Sequence, residues 1–181
     1  KILPAVLAHI NSRAAKDISS GRVVFKAATG TGKMGRLILR ERSTACRILV
    51  VLDGDVAGDG RAQQLHNDGL LDRSNIFVLR DLGRDASEIE DMIDPSVYLD
   101  ALRTEFGRQF NGAQFKNPRK KWSENFVAAA SAVGLSGPPA DLLKDAKIAV
   151  SESVSRANTQ PVKPSAMTVM EALSAAIWND K

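Results

Sequence analysis

Cysteine and histidine are nearly missing from this chain. A single cysteine, Cys46, in 181 residues excludes a disulfide framework and a cysteine-built zinc site, and suits a reducing cytoplasm. With only His9 and His66 present, a histidine-built metal centre is not expected either. Any metal would have to be held by carboxylates. Also missing are an apolar run approaching the ~20 residues of a membrane span, a signal peptide's charged segment and cleavage site, any internal repeat and any low-complexity tract. The expectation is a cytoplasmic chain with no membrane partner.

What is present is ordinary in amount and uneven in placement. Hydrophobic residues make up 44% and charged residues 25% of 19.5 kDa, enough to bury a core and too apolar for a disordered tail. The net charge of +4 hides a segregation. Residues 1–50 carry 10 Lys/Arg against 2 Asp/Glu, residues 51–100 carry 4 against 12, and residues 101–181 carry 11 against 7. A polyanion-cleaving enzyme requires this pairing of basic surface for phosphates with clustered carboxylates for divalent cations. A merely solvated surface produces it too, and composition does not choose.

Apolar periodicity places a helix over the first residues, with Leu3, Val6, Leu7, Ile10 and Ala14 on one face and Gly21 closing it. Arg22-Val23-Val24-Phe25 reads as a short buried strand, Met34 to Glu41 as a helix, and Ile48 to Leu52 as a strand of the unalternating kind found in parallel sheets. Gly58 and Gly60 are expected to keep a turn open before a helix over 61–70, and Asn75 to Leu79 is the next strand. This alternation signals a wound α/β sheet, parallel, with the 48–52 strand central between the other two. Strands stop after Leu79. A helical turn at 88–93 and a helix from Pro95, carrying Tyr98, Leu102 and Phe106 on one side, lead to a basic loop over 107–121. Helical patterns follow at 122–133, 141–156 and 166–178, separated by prolines. The expected organisation is an α/β core over 1–106 and a helical extension over 107–181 packed on it.

Two acidic groups carry the chemistry. Asp53-Gly54-Asp55 ends the best strand, where open α/β sheets bind their ligands, and two aspartates one residue apart suit a divalent cation with oxygen ligands. A solvated turn favours the same residues. Asp85, Glu88, Glu90 and Asp91 follow the next strand, and Glu90 and Asp91 lie among Ile89, Met92 and Ile93 rather than in a loose acidic run. Acids in a first helical turn are the plainer explanation for Asp85 and Glu88. Neighbouring parallel strands would bring both groups to one edge.

Ile-Leu-Val-Val-Leu-Asp-Gly-Asp-Val-Ala-Gly at 48–58 resembles the Asp-x-Asp strand end of a TOPRIM domain, and Ser-Glu-Ile-Glu-Asp-Met-Ile-Asp-Pro-Ser-Val-Tyr at 87–98 is similar to the segment that follows in the overcoming-lysogenisation-defect (OLD) family of ATP-dependent nucleases. The resemblance spans roughly residues 1–100. It implies a TOPRIM-like wound parallel sheet with helices on both faces, two divalent ions (Mg²⁺ or Mn²⁺), and nicking or cleavage of DNA by an endonuclease, hydrolysing phosphodiesters. Asp53 and Asp55 would carry one metal, Glu90 with Glu88 as helper the second, and Lys147 would be the assisting lysine, so that Asp53, Asp55, Glu90 and Lys147 are the catalytic set. The family's opening strand, with its glutamate, and its preceding ATPase domain have no counterpart before residue 3. The chain is therefore expected to be a piece of a longer one, with DNA, that ATPase domain and a homo-oligomer as partners.

Rival readings remain. Ala28-Thr29-Gly30-Thr31-Gly32-Lys33 resembles a phosphate-binding loop of an NTPase, but the position that must hold Mg²⁺ through a hydroxyl is Met34. A glycine-rich connection presenting Lys33 and Arg36 to nucleic acid fits better. Arg119-Lys120-Lys121 beside Trp122 suits phosphate contact and stacking, although a solvated loop leading to a core tryptophan is the commoner origin of such a cluster. Tyr98, on an apolar face, reads as core rather than as a topoisomerase-type nucleophile, and His66 and Cys46 as structural. The opposing function is a non-catalytic TOPRIM-like module that binds nucleic acid or protein. Convergence of Asp53, Asp55 and Glu90 in one crevice separates the two.

Overall fold

The computed structural model describes residues 2–28, 31–44 and 46–178. The chain is mixed α/β. Helices α1 (Ile2–Ile10), α2 (Ala14–Ser19) and α3 (Thr31–Glu41) precede strand β1 (Val50–Asp53), helix α4 (Val56–Asn67) and strand β2 (Ile76–Leu79). Helices α5 (Pro95–Phe106), α6 (Trp122–Ala132), α7 (Pro139–Arg156) and α8 (Met167–Trp178) follow, with 3₁₀ turns between. The β strands pair in parallel, Val50 opposite Ile76 and Asp53 opposite Leu79.

The sheet is smaller than the sequence implies. Among the described residues it has two strands, so β1 is not central and residues 22–25 do not form the third. That segment joins no ladder: Val23 and Phe25 pack against the larger core, while Val24 is 64% exposed. So short an apolar run docks its side chains as readily as it pairs its backbone. The first helix is also broken. Asn11 interrupts it, accepting the Arg13 amide on Oδ1 at 2.9 Å, and Gly21 at φ 74° ends the second half.

The apolar residues divide into two clusters. The larger joins α1 (Val6, Leu7) to α5 (Tyr98, Leu102), α6 (Trp122, Phe126), α7 (Val150, Val154) and α8 (Met170, Leu173). Its centre is aromatic: Trp122 stacks on Phe126 at 5.5 Å and meets Tyr98 edge-on at 6.1 Å, and Trp122 Nε1 donates to Tyr98 Oη at 3.2 Å. Rings of this size dominate core burial, and these fix the start of α6. Tyr98 is core, as its apolar face implied. The smaller cluster holds Ile38 of α3, Val50 and Leu52 of β1, Leu65 of α4 and Leu71. One polar clasp closes the ends, since Trp178 Nε1 donates to the buried Asp17 at 3.0 Å.

Candidate functional site

The site grows from the end of β1. Gly54 forms a two-way bridge with Ser87, its N–H donating to Ser87 O at 2.8 Å and its carbonyl accepting the Ser87 N–H at 3.0 Å. Ser87 Oγ, itself buried, donates to Leu79 O at 2.8 Å. Residue 54 must be glycine for this approach: a Cβ there would sit 2.0 Å from Leu79 O and 2.6 Å from Ser87 Oγ. The bridge holds Glu88 and Glu90 beside Asp53 and Asp55.

α4 starts earlier than its glycines suggested. Gly58 and Gly60 lie within it rather than in an open turn, because Asp55 caps the helix, accepting the Gly58 N–H at 2.8 Å. Gly58 is required by contact, since a Cβ would meet Asp53 O at 2.0 Å, whereas nothing lies within 4 Å of one at Gly60.

Two lysines from the helical half enter this acidic ground. Lys121, at the N-cap of α6, places Nζ 2.8 Å from Asp55 Oδ2 and 3.3 Å from Glu88 Oε1. Lys147, on α7, lies 3.4 Å from Glu88 Oε2 and 3.3 Å from Glu90 Oε1. Glu88 is the junction, because Ser123 also donates to it, from N at 3.1 Å and Oγ at 3.0 Å. Glu88 thus joins both lysines to the start of α6. The Asp53 carboxylate makes no hydrogen bond or ion pair among the described residues.

The electrostatics follow from these placements. Desolvation by the protein behind it, and then Glu88, push the Asp53 carboxyl above the usual range although its side chain remains open to solvent. Burial does the same to Glu90. The hydrogen bond from Lys121 holds Asp55 below that range, and Asp55 in turn raises Lys121. Burial works against the charge of Lys147, but Glu90 and Glu88 outweigh it and raise its pKa.

Asp91 has a different task. It accepts the Glu88 N–H and the Trp122 N–H, each at 2.9 Å, and pairs with Arg84 at 2.8 Å. Arg84 also donates to Asn117 O and Lys120 O, so this buried pair anchors the loop that delivers Lys121. Asp91 and Glu88 together satisfy the first N–H groups of α6, where negative charge is favoured.

Asp55, Glu88, Glu90 and Lys147 are therefore linked by ion pairs through the two lysines, whereas Asp53 is coupled to them only through charge. Lys121, expected to contact nucleic acid, is ion-paired with Asp55 and Glu88 in this cluster. Arg119 and Lys120 beside it are exposed, as are Lys33 and Arg36 on α3, which make no ion pair among the described residues. Thr29 and Gly30 of the glycine-rich loop lie outside the described residues. Asp85 is exposed, away from the ion pairs. Sequence reasoning missed the ion-pairing of Lys121 and the parts played by Ser123, Arg84 and Asp91. One signal pointed to the first: a lysine at a helix N-terminus opposes the helix dipole and needs acids nearby.

Four carboxylates form a hard oxygen donor set, chemically suited to Mg²⁺ or Mn²⁺. As positioned, no three Asp, Glu, His or Cys side chains among the described residues converge tightly enough to hold one ion. The ammonium groups bridge the carboxylates instead. No helix among the described residues is long and apolar enough to cross a membrane. Comparison of the chain with protein-family models, curated proteins and solved structures finds no match.

Proposed function

We propose that this chain is the metal-dependent endonuclease part of an OLD-like protein, with a TOPRIM-like α/β core. One observation supports the reading: at the carboxyl end of a parallel strand pair, Lys147 and Lys121 tie Glu90, Glu88 and Asp55 together, with Asp53 next to Asp55 and electrostatically coupled to Glu88. A structural acid cluster would not need to leave Asp53 open and unpaired beside a repelling Glu88.

In this reading Asp53 and Asp55 would hold one divalent ion and Glu90, with Glu88, a second, and the two ions would supply Lewis-acid chemistry for phosphodiester hydrolysis. The chain's own residues do the rest. Glu88 and Asp91 fix α6, Lys147 offers a positive charge beside the reacting phosphate, and the exposed Lys33, Arg36, Arg119 and Lys120 hold the DNA backbone without reading its sequence. The ATPase domain and a homo-oligomer belong to the proposed longer protein.

The test is plasmid nicking with Mn²⁺ by the proposed longer protein, as wild type and as Asp53→Asn and Glu90→Gln, with circular dichroism melts alongside. Nicking should disappear in both variants while both remain folded. Undiminished nicking in Asp53→Asn, or none by the wild type, overturns the proposal.

A further inference from the structure

We propose that the outer edge of β2, with the groove beside it, docks a second copy of this chain, the two β2 strands pairing antiparallel across a two-fold axis. The inference stands apart from the nuclease reading and needs no ligand.

The strand itself is the first ground. β2 pairs with β1 on one side and, among the described residues, with no strand on the other. Its four residues, Ile76-Phe77-Val78-Leu79, are all apolar. An open row of N–H and C=O groups is a template for another strand, and edges are usually blunted by a charge, a proline or a bulge. Within β2 there is none of these, and its register with β1 is unbroken. The flanking charges, Arg73 and Arg80, stand outside the strand.

The groove is the second. α4 packs against both strands, on the face that carries Val50, Leu52 and Ile76. Beside it lies a groove of about 330 Å³ lined by Asp59, Ala62 and Gln63 of α4, by Arg73, and by Ile76 and Val78 of β2. Its two ends differ. At one, Arg80 pairs with Asp59; at the other, Arg73 donates to the neutral Gln63 Oε1 at 2.9 Å.

A second copy fits this edge in spacing and in charge. Neighbouring strands lie ~4.8 Å apart, so a dyad between two β2 strands sets the centre of one β1–β2 pair ~10 Å from the centre of the other. α4 covers that centre, and helices pack at about 8–10 Å. Each α4 then closes the other copy's groove, and the small Ala62 permits the approach. The dyad also exchanges the ends of the groove. It brings Arg73 of each copy to the partner's Asp59, so the surface is complementary to itself.

The contact is shorter than a stable interface, so the dimer should be weak, with a dissociation constant of about 10–100 μM. The experiment is sedimentation equilibrium of wild type, Ala62→Arg and Arg73→Asp, under reducing conditions because Cys46 is exposed, with circular dichroism to check folding. The wild type should dimerise over that range. Ala62→Arg, which fills the groove with a long charged side chain, should be monomeric. Arg73→Asp, at an exposed position, should weaken the dimer about tenfold or more. Hydrogen exchange needs no substitution: amides of 76–79 should exchange more slowly at about 500 μM than at about 5 μM. A wild type that stays monomeric at about 500 μM overturns the proposal. A dimer that both variants keep at full strength, or that leaves the β2 amides unprotected, is formed by another face and overturns it too. If Ala62→Arg does not fold, Arg73→Asp and the exchange measurement decide.

Discussion

Lys121 Nζ lies 2.8 Å from Asp55 Oδ2 across 66 positions of sequence, so the N-cap residue of α6 is paired with the N-cap residue of α4. The contact joins the acidic centre of the chain to its basic helical half. It also gives Asp55 two duties, a helix cap through Oδ1 and an ion pair through Oδ2.

Asp55→Ala removes both. Loss of the cap should cost about 1 kcal/mol, lowering the melting temperature by about 2–4 °C in a chain of this size. Asp55→Asn keeps an acceptor at the cap and should melt close to the wild type, because a partly exposed ion pair adds little. Thermal melts in EDTA separate the two. Equal melting of Asp55→Ala and wild type would remove the cap from the account.

Asp91 should behave as a structural acid. It is buried, and it serves two amides and Arg84. Asp91→Ala leaves a buried guanidinium and two N–H groups without their acceptor, a change of the kind that costs about 3–5 kcal/mol. Urea denaturation should show the midpoint falling far more than in Asp53→Asn. A midpoint within error of the wild type would mean that Arg84 and α6 are held by something else.

The strand at β1 and the helices from α5 onward were legible because their apolar patterns are long. Ile48 to Leu52 has one reading, and α6 to α8 repeat for three turns or more. The segment at 22–25 was not, since four residues fix burial without fixing a partner. Gly58 and Gly60 were misread for a related reason. Composition marks glycine as a turn, but Gly58 is in α4 because the Asp53 carbonyl passes too close for any side chain. The site was legible in its acids, which are adjacent in sequence, and illegible in Lys121, Ser123 and Arg84, which only the packing of α6 brings there.

The glycines themselves give a graded test. Gly54→Ala and Gly58→Ala each push a Cβ to 2.0 Å from a main-chain oxygen, so both should destabilise the strand end severely, with loss of the cooperative melt or a fall of many degrees. Gly60→Ala meets nothing within 4 Å and lies inside α4, where alanine is preferred by about 0.5–1 kcal/mol. It should raise the melting temperature. A destabilised Gly60→Ala would show that α4 does not begin at Val56.

Asp53 should be the residue whose removal helps the fold and harms the function. Its carboxyl is pushed up by desolvation and Glu88, so the folded state holds a proton that the unfolded chain releases at a lower pH. For a carboxyl raised in this way, the stabilising share is fully present below the unfolded value of ~4 and is lost as pH rises through the folded one. Asp53→Asn removes that loss. In metal-free buffer its melting temperature should exceed that of the wild type at pH 7.5, and the difference should shrink as pH approaches 4. Asp55 runs the other way: held low by Lys121, its contribution is present above ~4 and disappears as pH falls through the folded value. Asp55→Asn should therefore gain on the wild type only in acid. Melts of the three proteins from pH 3.5 to 8 in EDTA decide the matter. If Asp53→Asn melts below the wild type at pH 7.5, Asp53 is a stabilising residue in its own right, and its repulsion by Glu88 is absent.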